Sequence, residues 1–412
     1  ATCPLFSFSG TTVRVCKGFW LYSAENRKGN AKMHTLILSC NTGEGHNSCA
    51  KAIQAEYAAH GESCEIVDAL QFISKRASRF ICDWHTRIYR HAPKLYRAGY
   101  RSVENRTSVF REGTTVYRYL TSGAERLYQF ICRGGYDNII CVHVFPALAL
   151  TAMLERHPLP LRTCFVATDY TCSPSVEDSD LDYYFIPDAS LIEEFVRCGV
   201  PREKLVASGL PVRPEFYRTA DKAAEKAALN IPADHQHLLM MCGSIGCGPI
   251  RELTEELSLR LAPQQELTVV CGGNEELHAK LQKRFGDDRR MHIHGLVDNV
   301  PQLMHSADLF ITKPGGLSTT EAAACGLPMV LMDTVAGCEG HNLTFFLQRG
   351  GAVTADTPCL LADTAMALLA DPERLWAMSD ALRSPDAQTP AEQIYDCLRR
   401  PKMRLDTAQR YA

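Results

Sequence analysis

HTLILSC (34–40) is a short apolar run that stops at a glycine-containing turn. HNSCAKAIQAEYAAHG (46–61) follows with helical spacing, and CEIVDAL (64–70) is the next apolar run. A strand, a glycine turn, a helix and a strand make a parallel βαβ unit, because parallel neighbours need a crossover that passes over the sheet. The cadence recurs. YDNIICVHVFPALAL (136–150) and RTCFVATD (162–169) read as strands running into loops, and YYFIPDASLIEEFVRCGVP (183–201) as a strand and a helix.

ASGLPVRPEFYR (207–218) then interrupts the rhythm with two prolines and a glycine, and the pattern restarts beyond it. HLLMMCGSIGCGPIRELTEEL (237–257) is a strand, a glycine loop and a helix. ELTVVCGGN (266–274), RMHIHG (290–295), ADLFITKPGG (307–316) and PMVLMD (328–333) are further strands. Two sets of parallel units across a proline-rich joint predict an α/β protein of two doubly wound Rossmann-like domains facing a cleft. The length agrees, since 412 residues exceed what one core organises. The expected boundaries are 33–212 and 213–389, with 390–412 as a helical tail. Met33 directly precedes the first strand run, so 1–32 reads as an N-terminal extension with no place in the fold and no structure of its own.

In open α/β sheets ligands sit beyond the carboxyl ends of the strands, where helix N-termini point. The turns there are Thr42–His46, Gly243–Pro249, Gly272–Asn274 and Pro314–Glu321. The last is the most informative. In TKPGGLSTTEAAACGLPMVL (312–331), Gly315 and Gly316 let backbone approach a ligand, and Ser318 and Thr319 open a helix whose N–H groups favour a diphosphate. Glu321 then offers two acceptor oxygens to a vicinal diol such as ribose. The competing reading is a plain capping box, Ser318 to Glu321 being S-x-x-E. It leaves the two glycines and the three companion turns unexplained.

GGLSTTEAAACGLPMVL with AGCEGHN (336–342) resembles the donor-sugar signature of GT-B glycosyltransferases of family 28. LILSCNTGEGHNSCAKAI (36–53) resembles that family's acceptor loop. ATDYTCSPSVEDSDLDYYFIPD (167–188) and LPVRPEF (210–216) extend the likeness to its diacylglycerol glycosyltransferases. The resemblance runs from about Met33 to about residue 390. It implies a GT-B fold and transfer of a hexose, glucose first, from a UDP-sugar to the 3-hydroxyl of diacylglycerol with inversion, with possible repetition on the product. It implies that Gly243, Ser244, Gly246, Gly272 and Asn274 lie near the donor phosphates, and that Leu296 and Val297 hold uracil. Ser318, Thr319 and Glu321 would take diphosphate and ribose, while Glu339 and Asn342 would read hexose hydroxyls. Cys338 departs from the glutamine of many relatives, which touches the identity of the hexose. Ser173-Pro174 departs from their histidine-proline pair, which touches lipid contacts.

Such a transfer needs a base for the acceptor hydroxyl. His46 ends the first glycine turn, behind Gly43 and Gly45, and imidazole titrates near working pH. Its plainer role is a hydrogen bond to a loop. Asp169, at the tip of CFVATD, either orients His46 or replaces it, and otherwise is a turn-former. His143 in CVHVFP lines the acceptor side or is a satisfied core histidine. DSDLD (178–182) spells Asp-x-Asp twice, yet it is an acidic loop, and no Cys/His cluster has zinc spacing, so no metal and no cofactor are expected.

The formal charge of −3 excludes a general pull toward nucleic acid, but its distribution is uneven. Residues 75–133 hold thirteen Lys/Arg against four acids. Trp84, Arg87, Arg90, Lys94 and Arg97 in this stretch combine charge and aromatic surface, which suits an anionic membrane better than an ordinary solvated face. The 18 cysteines include no C-x-x-C pair, and many sit in apolar runs, as reduced core thiols do. With no apolar run long enough to span a bilayer, the expected location is cytoplasmic and peripheral on the membrane. The rival readings are a peptidoglycan-type lipid-linked N-acetylglucosaminyltransferase, a UDP-sugar epimerase on the same fold, and a binding module without catalysis.

Overall fold

The structure is a computed structural model. It describes residues 32–40, 44–74, 113–332, 337–383 and 388–399, together with the backbone of three short strands before residue 23. Those strands, β1 (Leu5–Phe8), β2 (Thr11–Cys16) and β3 (Phe19–Tyr22), form an antiparallel sheet of their own. The extension therefore does contain regular structure. TTVRVC sets the β-branched Thr11, Val13 and Val15 at alternate positions, a period-two strand signal.

The rest of the chain builds two parallel six-stranded sheets. The first comprises β4 (His34–Ser39), β5 (Ser63–Asp68), β6 (Asn138–Cys141), β7 (Arg162–Val166), β8 (Tyr183–Ile186) and β9 (Leu205–Ala207), in the order β5-β4-β6-β7-β8-β9. The second comprises β10 (Gln236–Met241), β11 (Gln265–Val270), β12 (Met291–His294), β13 (Leu309–Thr312), β14 (Met329–Leu331) and β15 (Ala352–Thr354), in the order β12-β11-β10-β13-β14-β15. The inner strands of both sheets are buried on both faces, β11 and β13 throughout, which is why they read as continuous apolar runs without alternation.

In each sheet the strand order reverses once, between β4 and β6 and between β10 and β13. Reversal sends the following helices to opposite faces and leaves a crevice at the carboxyl ends. His46 follows β4, His143 follows β6, the glycine loop 243–249 follows β10, and Lys313 follows β13. The two crevices face one another.

Two expectations needed revision. VFPALALTAMLER is a helix, Val144–Arg156, not a loop: His143 caps it by accepting from the Phe145 N–H at 3.1 Å. Pro146 falls in its first turn, where no intrahelical N–H is missed. Residues 390–399 are also more than a tail. The helix Pro390–Arg399 returns to the N-terminal domain, where Tyr395 stacks on His60 with ring centroids 4.0 Å apart and meets Tyr57 edge-on at 5.0 Å. Ile394 and Leu398 are fully buried, and the Arg162 guanidinium donates to the Leu398 carbonyl. The structural N-terminal domain thus includes the helix Pro390–Arg399.

Candidate active site

A cleft of about 720 Å³ lies between the domains at the two crevices. Its C-terminal wall is built on the helix Gly316–Ala324, which begins directly after β13. Gly315 is the N-cap, in extended conformation with no side-chain cap bond, so the capping box does not form and Ser318 lies a turn inside the helix. The first N–H groups of that helix have no intrahelical partner, and the helix begins at the cleft, which Gly315, Gly316 and Ser318 line. Glu321 lines the same wall. Burial raises its carboxyl to about 7, with Arg213 pulling the other way, and no side chain among the described residues donates to it.

The glycine loops divide their work. Gly243, Ser244 and Gly272 line the cleft, whereas Gly246 and Asn274 do not. A Cβ on Gly246 would lie 2.0 Å from the Cys271 carbonyl oxygen, and its φ is +65°. Asn274 donates to the Gly246 carbonyl at 3.0 Å and caps the helix Glu275–Phe285 through Leu277 N–H. These two residues clasp one loop to the other and act on the cleft only through Gly243, Ser244 and Gly272. Leu296, 75% exposed, and Val297 form the rim of the cleft, where a flat apolar surface suits a base.

Thr319 departs from expectation: it is fully buried, and its hydroxyl donates back to Gly315 and Gly316 carbonyls at 2.9 and 3.1 Å. A β-hydroxyl at that helical position turns into the previous turn rather than outward. Asn342 departs likewise, with no exposed surface and its amide spent on Asp169, Pro314 and Tyr170. Glu339 does line the cleft and is held by Lys313 Nζ at 2.8 Å. Lys313 and Arg213 are cleft residues that sequence reasoning treated only as a strand end and a joint. Their signal was position: a cation at the carboxyl end of β13, and one between two prolines at the domain joint.

The opposite wall carries His46 and His143, whose rings meet edge-to-face at 4.7 Å. His46 Nδ1 lies 2.8 Å from the Val142 carbonyl, which can only accept, so Nδ1 bears the proton; Thr168 Oγ1 shares it at 3.2 Å. That tautomer leaves the lone pair on Nε2. His143 has the reverse arrangement, because its Nδ1 accepts from Phe145. Gly45 packs beside Leu317 of the other domain; Gly43, Trp84 and the basic residues Arg87, Arg90, Lys94 and Arg97 named with it lie outside the described residues.

Asp169 also lines the cleft. Burial raises its carboxyl to about 6; Glu339 adds to the rise, while the Asn342 amide, Lys313 and the Cys338 thiol oppose it. Because His46 is oriented by Val142 and Thr168, Asp169 does not serve as its orienter among the described residues. The DSDLD loop lies off the cleft: Asp182 accepts from Thr163 N–H at 3.0 Å, and Asp180 pairs with Lys204 at 2.5 Å.

Two facing doubly wound domains with a cleft at both strand-order reversals are the GT-B architecture, and this chain adopts it. MurG of Acinetobacter baumannii superposes with a TM-score of 0.59 at 13% identity, covering 89% of this chain and 99% of that one. UDP-GlcNAc 2-epimerase of Neisseria meningitidis, bound to UDP-GlcNAc, gives 0.56 at 12% identity over the same shares. Residues 46–212 match the family model for monogalactosyldiacylglycerol (MGDG) synthase, and residues 237–371 the model for glycosyl transferases group 1. A processive diacylglycerol beta-glucosyltransferase of Bacillus cereus is 28% identical over 88% of this chain and 92% of its own length. Its counterpart from Bacillus cytotoxicus is 25% identical over the same shares. Both halves of the chain thus match glycosyltransferase models, and the chain is a glycosyltransferase whose N-terminal half is similar to MGDG synthase.

Proposed function

We propose that the protein transfers a hexose, glucose first, from a UDP-sugar to the 3-hydroxyl of diacylglycerol with inversion at the anomeric carbon. The likeness to diacylglycerol glucosyltransferases along almost the whole chain supports the lipid acceptor. The observation that carries the donor side is Glu321: a cleft carboxylate raised to about 7, with no protein donor, beside a helix N-terminus without a side-chain cap. Such a group is costly unless a ligand satisfies it, and a ribose diol supplies two donors.

In this reading the acceptor oxygen attacks the anomeric carbon from the His46 wall as the bond from that carbon to the β-phosphate oxygen breaks on the opposite side. The acceptor proton passes to His46 Nε2 or to Asp169, both of which border the cleft. The departing UDP gains charge on its diphosphate, which the Gly316–Ala324 helix N-terminus and Arg213 are placed to offset. Lys313 contributes less, being paired with Glu339. No resident metal or cofactor enters this scheme.

Diacylglycerol stays in a bilayer, so the enzyme works at its surface. No helix among the described residues is long and apolar enough to cross a membrane, and the basic stretch 75–133 is the segment whose composition suits an anionic face. A donor screen with dioleoylglycerol in anionic micelles tests the whole reading, with labelled lipid separated by chromatography. Glucolipid from UDP-glucose is the expected product, and a second glucose on that lipid would mark repetition. Free sugar without labelled lipid would point to the epimerase class, and turnover confined to UDP-GlcNAc to the peptidoglycan-type transferase.

A further inference from the structure

Three hydrogen bonds converge on the buried side chain of Asn342, on the helix Cys338–Arg349 of the donor domain. Its Nδ2 donates to Asp169 Oδ1 at 2.8 Å and to the Pro314 carbonyl at 3.0 Å, and its Oδ1 accepts from the Tyr170 N–H at 2.7 Å. Asp169 and Tyr170 belong to the acceptor domain, Pro314 to the turn that opens the donor helix. The neighbours of Asp169 are anchored in the same way. Tyr170 inserts into the donor domain, its hydroxyl 2.9 Å from Thr320 Oγ1 and its ring stacked 4.2 Å from Phe345. The Thr168 carbonyl lies so close to Gly316 that a Cβ there would sit 2.1 Å from it. Residues 168–170 therefore belong covalently to one domain, where Thr168 meets His46, while Asp169 and Tyr170 are bonded to the other.

We propose that Asn342 is a positioning residue: it fixes the Asp169 carboxylate to the donor turn Pro314–Gly316, so that this carboxylate keeps register with the donor rather than with its own domain. This goes beyond the transfer reading but rests on it for the meaning of the register. A hexose reader would need amide atoms facing the cleft, and both are engaged within the protein. The other groups facing Asp169 are Glu339, Lys313 and the Cys338 thiol from the donor domain, with Arg213, His46 and His143 around the same cleft. The bond from the amide to a carboxylate strengthens when the carboxyl loses its proton, which makes the arrangement testable by pH.

Wild type is compared with Asn342→Ala and with the isosteric Asn342→Asp, which keeps the side-chain volume and the acceptor for Tyr170. Three quantities are read: unfolding by denaturant from pH 5 to pH 8, calorimetric Kd for UDP and UDP-glucose, and the acidic limb of kcat with dioleoylglycerol. The stability deficit of Asn342→Ala is expected to grow as pH rises through about 6, by up to about tenfold in the folding constant per pH unit while the carboxyl is ionised in wild type and still protonated in the variant. In Asn342→Asp two carboxyls share one proton, so its deficit grows more steeply. The ratio of the UDP to the UDP-glucose Kd stays within about twofold, and the acidic limb of kcat moves to higher pH. A deficit that is the same at every pH overturns the proposal, and a tenfold loss of the UDP-glucose preference would make Asn342 a hexose reader. The unfolding arm needs no acceptor, so absence of transfer in wild type would refute the proposed function while still leaving this inference decided.

Discussion

Glu321→Gln separates a ligand-binding carboxylate from a structural one, because the two roles predict opposite changes in stability. Burial raises the carboxyl from an ordinary value of 4.5 to about 7. A carboxyl whose folded pKa is raised takes up a proton on folding, so it lowers stability as pH rises from about 4.5 to about 7, and the loss is complete above that window. The full shift would correspond to about 3 kcal/mol, and solvent reaching the carboxylate reduces this to on the order of 1–2 kcal/mol. The glutamine variant, with no charge to desolvate, should therefore unfold at higher denaturant than wild type at pH 8 and at about the same concentration at pH 4.5. Binding moves the other way. Losing charge-assisted hydrogen bonds to the ribose costs about 1.5–3 kcal/mol, or roughly 10- to 150-fold in Kd. UDP-glucose is the ligand to use, because it has no terminal phosphate titrating in this range. Wild-type affinity should fall about tenfold per pH unit below pH 7 and level off above it, whereas the variant should show little pH dependence. Glu321→Gln that unfolds more easily at pH 8 and binds UDP-glucose as wild type does would refute this reasoning and restore a structural role.

The remaining predictions concern the base, the metal, the domain contact and the membrane. His46→Ala should lower kcat by about 10²–10⁴ with UDP affinity unchanged, and Asp169→Asn by less; the reverse order would assign the base to Asp169. Exhaustive EDTA treatment should leave the rate intact, while a loss restored by Mg²⁺ or Mn²⁺ would bring Asp178 and Asp180 back as ligands. Gly316→Ala places a methyl against the Thr168 carbonyl and should destabilise the protein by about 1–3 kcal/mol, measured by chemical denaturation. Replacing Arg87, Arg90, Lys94 and Arg97 with glutamine should remove most sedimentation with anionic liposomes, each charge being worth about 1 kcal/mol; wild-type sedimentation would leave 75–133 an ordinary solvated face.

Periodicity alone determined most of the architecture, because strand cores buried on both faces must be apolar and parallel crossovers must be helical, and both leave local traces. The same holds for the position of the cleft: glycines after strands and a carboxylate in the next helix, read beside the three companion turns, point to Gly315, Gly316, Ser318 and Glu321, and all four line it. The long-range contacts had no such trace. Pro390–Arg399 reads as a tail because its apolar face names no partner, and only tertiary packing sets Tyr395 on His60 and Tyr57. Asn342 and Thr319 look like ligand groups in sequence, since an amide and a hydroxyl advertise hydrogen bonding but not its direction. Tertiary structure turned both inward, one to the Asp169–Pro314 junction and the other to the preceding helical turn. Sequence supplies the chemistry available at a turn, and the meeting of two domains decides which of it is left for a ligand, because a buried polar atom takes the nearest partner that satisfies it.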